Sequence, residues 1–203
     1  MEIRFISHLD IVRLWYRAFR RAGIELAYSK GFHPHPKISV AAPLAIGVTS
    51  EAELMDVYTT GFVSPHSMKT CISQQLPLGM EIIQVNNIAT TLPSLQAQVR
   101  YAEYKVKIES PKRKDHLLPS LNALLAREKL QWQHWRDTGP RQYDLRALID
   151  DLWLVDWYDD CAIVGMRLRC DNQGSGRPEQ VVKALGSKQP LSIHRTRLIL
   201  ETN

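Results

Sequence analysis

The order strand, helix, strand, strand, helix, strand occurs twice along the chain. It predicts an α+β protein of two tandem ferredoxin-like (βαββαβ) units with antiparallel sheets. Three observations support this. Segments with helical spacing of apolar residues alternate with segments of strand character. Ser, Pro and Gly punctuate their ends. The stretch Thr90–Gln98, which contains Pro93 and has no strong periodicity, reads as a linker between the halves. The expected units are residues 1–92 and 99–203.

In the first half, Glu2–Ile6 reads as a short strand. Ser7-His8-Leu9-Asp10 then forms a capping box, with Asp10 in place of the usual Glu. A helix follows to Ala22, with Val12, Trp15, Tyr16 and Phe19 on its apolar face and Gly23 as its stop. Lys37–Leu44 and Ala52–Thr59 read as strands. Ser64–Gln75 reads as a helix opened by Ser64 and Pro65, and Met80–Val85 as a closing strand. The second half predicts strands at Tyr101–Ile108, Gln131–Trp135, Ala162–Arg169 and Ile193–Leu200. Helices are expected at Leu117–Arg127 and Pro178–Leu185, and Asp144–Val155 is compatible with either state.

The composition is that of a globular chain, 44% hydrophobic and 23% charged, with a net charge of +5. No apolar run is long enough for a membrane-spanning helix, and Met1–Phe5 has no signal-peptide pattern. Three dispersed cysteines, Cys71, Cys161 and Cys170, argue against a disulfide framework and place the chain in a reducing cytoplasm. The charge is uneven. Residues 1–40 carry seven Lys/Arg against three acids, whereas residues 41–100 carry two against four. A basic amino-terminal segment points to a phosphate or polyanion contact, or to a solvated helix face.

Three constellations could carry chemistry. Arg13, Arg17, Arg20 and Arg21 form a stripe on the first helix, opposite its apolar face. Their planar guanidiniums suit phosphate; salt bridges or solvation are the structural alternative. The second is Gly31-Phe32-His33-Pro34-His35-Pro36-Lys37, in which two prolines hold the loop extended and put His33 and His35 on one side. With His8, these histidines could act as acid/base groups, ligate a metal, touch a nucleotide or fix the loop by hydrogen bonds. Phe32 could stack on a base or anchor the loop. The third is Gly174-Ser175-Gly176-Arg177, a turn into a helix whose N–H groups could face an anion, with Arg195 and Arg197 nearby in sequence. Asp144 and Arg146 are expected to form an internal ion pair, and Glu51, Glu53 and Asp56 to be edge charges. CxxC, GxGxxG, HExxH and GxSxG motifs are all missing.

The run Gly31-Phe32-His33-Pro34-His35-Pro36-Lys37-Ile38-Ser39 is highly distinctive. Together with Ser7-His8-Leu9-Asp10, Arg20-Arg21-Ala22-Gly23, Asp144-Leu145-Arg146, Gly176-Arg177-Pro178 and His194-Arg195-Thr196, it resembles the radical SAM-linked (radical SAM-associated) family of unknown function. The resemblance spans nearly the whole chain. It implies an accessory module attached to, or encoded beside, a radical SAM protein. That partner, rather than this chain, would carry the iron–sulfur cluster, SAM and cobalamin. Members of that family usually begin some ten residues earlier, with a strand and a Ser-Lys-Thr-Gly-type turn. The first strand of this sheet is therefore expected to be missing or replaced by Glu2–Ile6.

The leading expectation is a binding module that holds RNA, or another phosphate-bearing substrate, for that partner. Its contacts would be Arg13, Arg17, Arg20, Arg21, Phe32, His33, His35, Lys37 and Arg177. The alternatives are a metal-binding or RNA-cleaving enzyme that uses His8, His33 or His35, and a protein docking domain without affinity for nucleic acid.

Overall fold

The computed structural model describes residues 3–109, 114–136, 139–158 and 160–201. The architecture is mixed α+β, and the chain divides into two compact units. One comprises Met1–Gly47 and Leu54–Gln98, the other Val48–Glu53 and Val99–Asn203.

The first unit is built on α1 (His8–Arg21). Ser7 is extended and its hydroxyl accepts the Asp10 N–H at 3.2 Å, so the capping box forms as its residues require. The helix closes on Gly23, at φ +69°, where the Gly23 and Ile24 N–H groups donate to Arg20 and Phe19 carbonyls. That pairing is a Schellman motif, which needs a left-handed residue and so favours glycine. Ala18 and Phe19 are buried from this helix and meet Leu26 and Ile72 in the core.

β1 (Ile38–Val40), β2 (Thr49–Ser50), β3 (Met55–Val57), α2 (Pro65–Ser73) and α3 (Leu95–Gln98) follow. β1 and β3 form a short antiparallel pair, Ile38 opposite Val57 and Val40 opposite Met55. α2 is capped by Ser64 with Pro65 in its first turn, as expected.

Several expectations fail here for identifiable reasons. Residues 3–5 of the expected first strand form a 3-10 turn that leads directly into Ser7, and Gly47 N–H donates to the Arg4 carbonyl. Met80–Val85 forms no ladder; the Lys69 ammonium occupies the Ile83 carbonyl at 2.7 Å. The supposed edge acid Asp56 is buried and accepts the Leu95 N–H at 2.9 Å, which starts α3. Gln96 donates to the Val40 carbonyl, so the expected linker folds onto the β1–β3 pair.

The second unit contains β4 (Val99–Glu109), α4 (Lys114–Leu125), β5 (Gln131–Arg136), β6 (Gly139–Asp144), β7 (Ile149–Tyr158), β8 (Cys161–Asp171), β9 (Gly174–Ser175), α5 (Pro178–Ala184) and β10 (Pro190–Leu200). Its main sheet has the order β2-β10-β4-β8-β7, parallel only between β2 and β10. Alternation along β4 and β8 buries Ala102, Val106, Val164, Met166 and Leu168, together with Val181 and Val182 of α5. The ambiguous segment from Asp144 resolves into a 3-10 turn and β7. The strand at Gln131 finds a partner that the sequence reading missed, β6, which begins Gly139-Pro140.

Candidate nucleic-acid interface

Helical rise sets Arg13, Arg17 and Arg21 about 6 Å apart along one side of α1. With Asp10 and Leu14 they line an open cleft of about 600 Å³, closed by Gln74, Gln75, Leu76 and Pro77 beyond α2. Arg13 pairs with Asp10 at 3.2 Å across an exposed turn, an interaction that water screens heavily. The Ser7 hydroxyl chiefly holds the Asp10 carboxyl below the usual carboxylate range, desolvation opposes it, and Arg13 adds to the lowering. Arg21 donates to the Gln75 side chain at 3.2 Å and to its carbonyl at 2.6 Å, both neutral partners. Arg17 is exposed and has no hydrogen-bond or ion-pair partner among the described residues. Three cations therefore face one carboxylate in the cleft. Arg20 is exposed on the flank and does not line it.

The histidine loop is a hairpin. Tyr28 bridges Pro36, Ser29 N–H donates to the His35 carbonyl at 2.8 Å, and His35 N–H donates to the Ser29 hydroxyl at 2.9 Å. Its base is fixed to α1 by the Tyr28 hydroxyl, which donates to that of Tyr16 at 3.1 Å; this bond is the main reason the Tyr28 pKa is raised. Lys30, Gly31, Phe32, His33 and Pro34 form an exposed tip, and Phe32 is fully solvent-exposed. Nothing buries Phe32, so it does not anchor the loop. His35 is also exposed, and the Lys37 ammonium lies 5.5 Å over the Tyr58 ring.

The stripe and the loop thus share α1, yet Phe32, His33 and His35 do not line the cleft. His8 is half-buried and about 140° around the helix from Arg13. Among the described residues no three His, Cys, Asp or Glu side chains gather as a metal-holding group, so the three-histidine cluster does not form.

The Gly-rich turn is not an anion cradle. Asp171 accepts the Gln173 and Gly174 N–H groups at 2.8 and 3.0 Å, and Gly176 N–H donates to the Arg169 carbonyl. These glycines serve close packing, since a Cβ at Gly176 would sit 2.9 Å from the Leu148 carbonyl. Arg195 is buried and paired with Glu53 at 2.9 Å, so neither belongs to a basic surface or a charged edge. Arg177 lies in the second unit, 3.4 Å from His134 Nε2. Asp144 accepts the Leu130 and Arg146 N–H groups, while the Arg146 guanidinium donates to the Leu125 and Ile149 carbonyls. The Asp-Leu-Arg segment therefore ties backbone groups together rather than forming an ion pair. The cleft wall from Gln74 to Pro77 escaped sequence reading because neutral side chains after a helix carry no pattern.

These features define an α+β protein with an arginine-lined cleft beside an exposed aromatic hairpin. The chain belongs to the DUF2344 family of uncharacterised proteins conserved in bacteria, whose model matches residues 1–178. No curated protein matches it. Among solved structures it is similar to a chain of a Cbf5-Nop10-Gar1 complex, with a TM-score of 0.54 at 8% identity over 97% of this chain and 47% of that one. It is also similar to a chain of the archaeal box H/ACA sRNP Nop10-Cbf5 complex, with a TM-score of 0.46 at 9% identity over 97% and 46%. The chain spans about half the length of the solved chains it matches. Among the described residues no helix is long and apolar enough to cross a membrane.

Proposed function

We propose that the first unit is an RNA-binding module, presenting RNA or another phosphate-bearing substrate to a radical SAM enzyme, in cis or in trans. Arg17 carries this reading: an exposed guanidinium with no protein partner among the described residues, flanked by Arg13 and Arg21 in an open cleft. Phosphates occupy the cleft, where a planar donor fork makes two hydrogen bonds at once. Phe32 offers its ring to an unstacked base, and Lys30, His33, His35 and Lys37 face the adjoining backbone. The radical SAM partner is inferred from the sequence resemblance alone, and that partner supplies the iron–sulfur cluster, SAM and cobalamin. We read the chain as cytoplasmic, with tandem ferredoxin-like units at 1–92 and 99–203. The β10-β4-β8-β7 order supports this for the second unit; the first would be a reduced form.

Filter binding of the full chain to single-stranded RNA tests the proposal. Affinity should be measurable at low salt, and Arg17→Ala should lower it by about tenfold without changing the melting temperature. No binding at low salt, or an unchanged affinity in Arg17→Ala, refutes it. A fully exposed Phe32 also suits a protein contact. Capture of a radical SAM partner without RNA affinity would favour that docking reading.

A further inference from the structure

The second unit holds a cluster that the cleft reading does not use. His134 on β5 stands directly opposite Arg141 on β6. Directly opposed side chains in an antiparallel pair point to the same face, with their Cβ atoms about 5 Å apart. Arg177, just ahead of α5, places Nη1 3.4 Å from His134 Nε2. One guanidinium therefore touches the imidazole, and a second arginine shares its face of the hairpin.

The hairpin is held in that position. Tyr143, two residues along β6 from Arg141, donates its hydroxyl to the buried Gln180 side chain of α5 at 2.5 Å. The Arg141 guanidinium lies 5.9 Å from the Tyr143 ring centroid, on the same face. The bond to α5 fixes the strand that carries Arg141, and Arg177 immediately precedes that helix. Both arginines are exposed, and neither has a carboxylate partner among the described residues. Asp144 on β6 accepts backbone N–H groups, and among the described residues Glu179 makes no ion pair with either arginine. Arg167, Arg169 and Arg195 of the same unit, by contrast, have acidic partners.

Planar guanidinium forks that share a face with an imidazole, and that no carboxylate among the described residues holds, suit an anion whose oxygens accept two hydrogen bonds at once. We propose that His134, Arg141 and Arg177 form a phosphate-binding site: the arginines donate to the phosphate oxygens and the imidazole provides a further hydrogen bond. The shared ligand chemistry is a phosphate group, from either a small phosphorylated molecule or a nucleic-acid strand. The site is independent of the arginine cleft, which belongs to the other unit.

The test follows the His134 ring signals by NMR in the full chain, assigned with His134→Gln. Inorganic phosphate and a short single-stranded RNA are titrated separately. A saturable shift with both identifies a general phosphate site. A shift with phosphate alone identifies a small phosphorylated ligand, and with RNA alone a nucleic-acid strand. All three support the proposal. The Arg141→Gln/Arg177→Gln variant should weaken the response by at least about tenfold. No shift with either probe, or a full response in the double variant, overturns it. Because the titration uses the unmodified chain, the proposal can be refuted even if the variant misfolds.

Discussion

The arginines of the two units do different work. In the second unit Arg167 joins Glu103 at 2.8 Å and Asp150 at 3.4 Å, Arg169 holds Asp171 at 2.7 Å, and buried Arg195 sits on Glu53. Arg146 donates to main-chain carbonyls. In the first unit Arg13 has one exposed carboxylate, Arg21 has amide partners, and neither Arg17 nor Arg20 has a hydrogen-bond or ion-pair partner among the described residues. Arginines of the first kind fasten a sheet, and their removal should cost stability. Those of the second kind are available to a ligand, and their removal should cost binding. Arg127, Arg141, Arg177 and Arg197 of the second unit are exposed without an acidic partner among the described residues; Arg141 and Arg177 lie about His134, which is why they attract a separate proposal.

The largest effect expected from breaking this contrast is on stability. Glu53→Ala leaves the buried Arg195 guanidinium without its carboxylate. It should lower stability by about 2–3 kcal/mol in urea unfolding, below the full cost for a buried pair because the Glu53 side chain is about one-third exposed. RNA affinity measured below the unfolding transition should not change.

Asp171 gives a smaller, pH-dependent effect. Burial raises its pKa, but Arg169 and the Gln173 and Gly174 N–H groups outweigh that, so the folded value lies below the ordinary one. Its stabilisation is complete above the unfolded pKa of about 3.9 and is lost as pH falls through the folded value. Asp171→Asn should therefore cost about 1–2 kcal/mol at neutral pH and flatten the decline in stability below about pH 4. An unchanged acid limb would show that Asp171 is not the group responsible.

Phe32→Ala sharpens the comparison from the other side. The ring is fully exposed, so unfolding should move by less than about 0.5 kcal/mol, while RNA affinity falls by about fivefold or more as stacking disappears. Destabilisation without a fall in affinity would assign the ring a structural role.

What could be read in the sequence was local. Ser7 with Asp10, Gly23, and Ser64 with Pro65 announce helix ends through interactions within a few residues, and all three read correctly. β4, β8 and β10 were legible as strands from their apolar character, whereas the equally long β7 was compatible with either state. Non-local pairing was not legible. Residues 3–5 and Met80–Val85 have strand-like composition but form no ladder, whereas Thr49–Ser50 pairs with β10 across the chain. The candidate site divided in the same way. The arginine stripe follows from helical periodicity, but the wall at Gln74–Pro77 and the assignment of Arg195 to the interior depend on packing partners distant in sequence.

The most direct test is the salt dependence of RNA binding for three forms of the full chain: unmodified, Arg13→Ala/Arg17→Ala and Arg167→Ala/Arg169→Ala. If cleft guanidiniums neutralise phosphates, the first double variant should shallow the log–log slope by about 1.4, at about 0.7 for each phosphate left without its arginine. The second should leave the slope unchanged while lowering the melting temperature. Equal slopes for the unmodified chain and the cleft variant, or a shallower slope confined to the Arg167/Arg169 variant, would contradict the account.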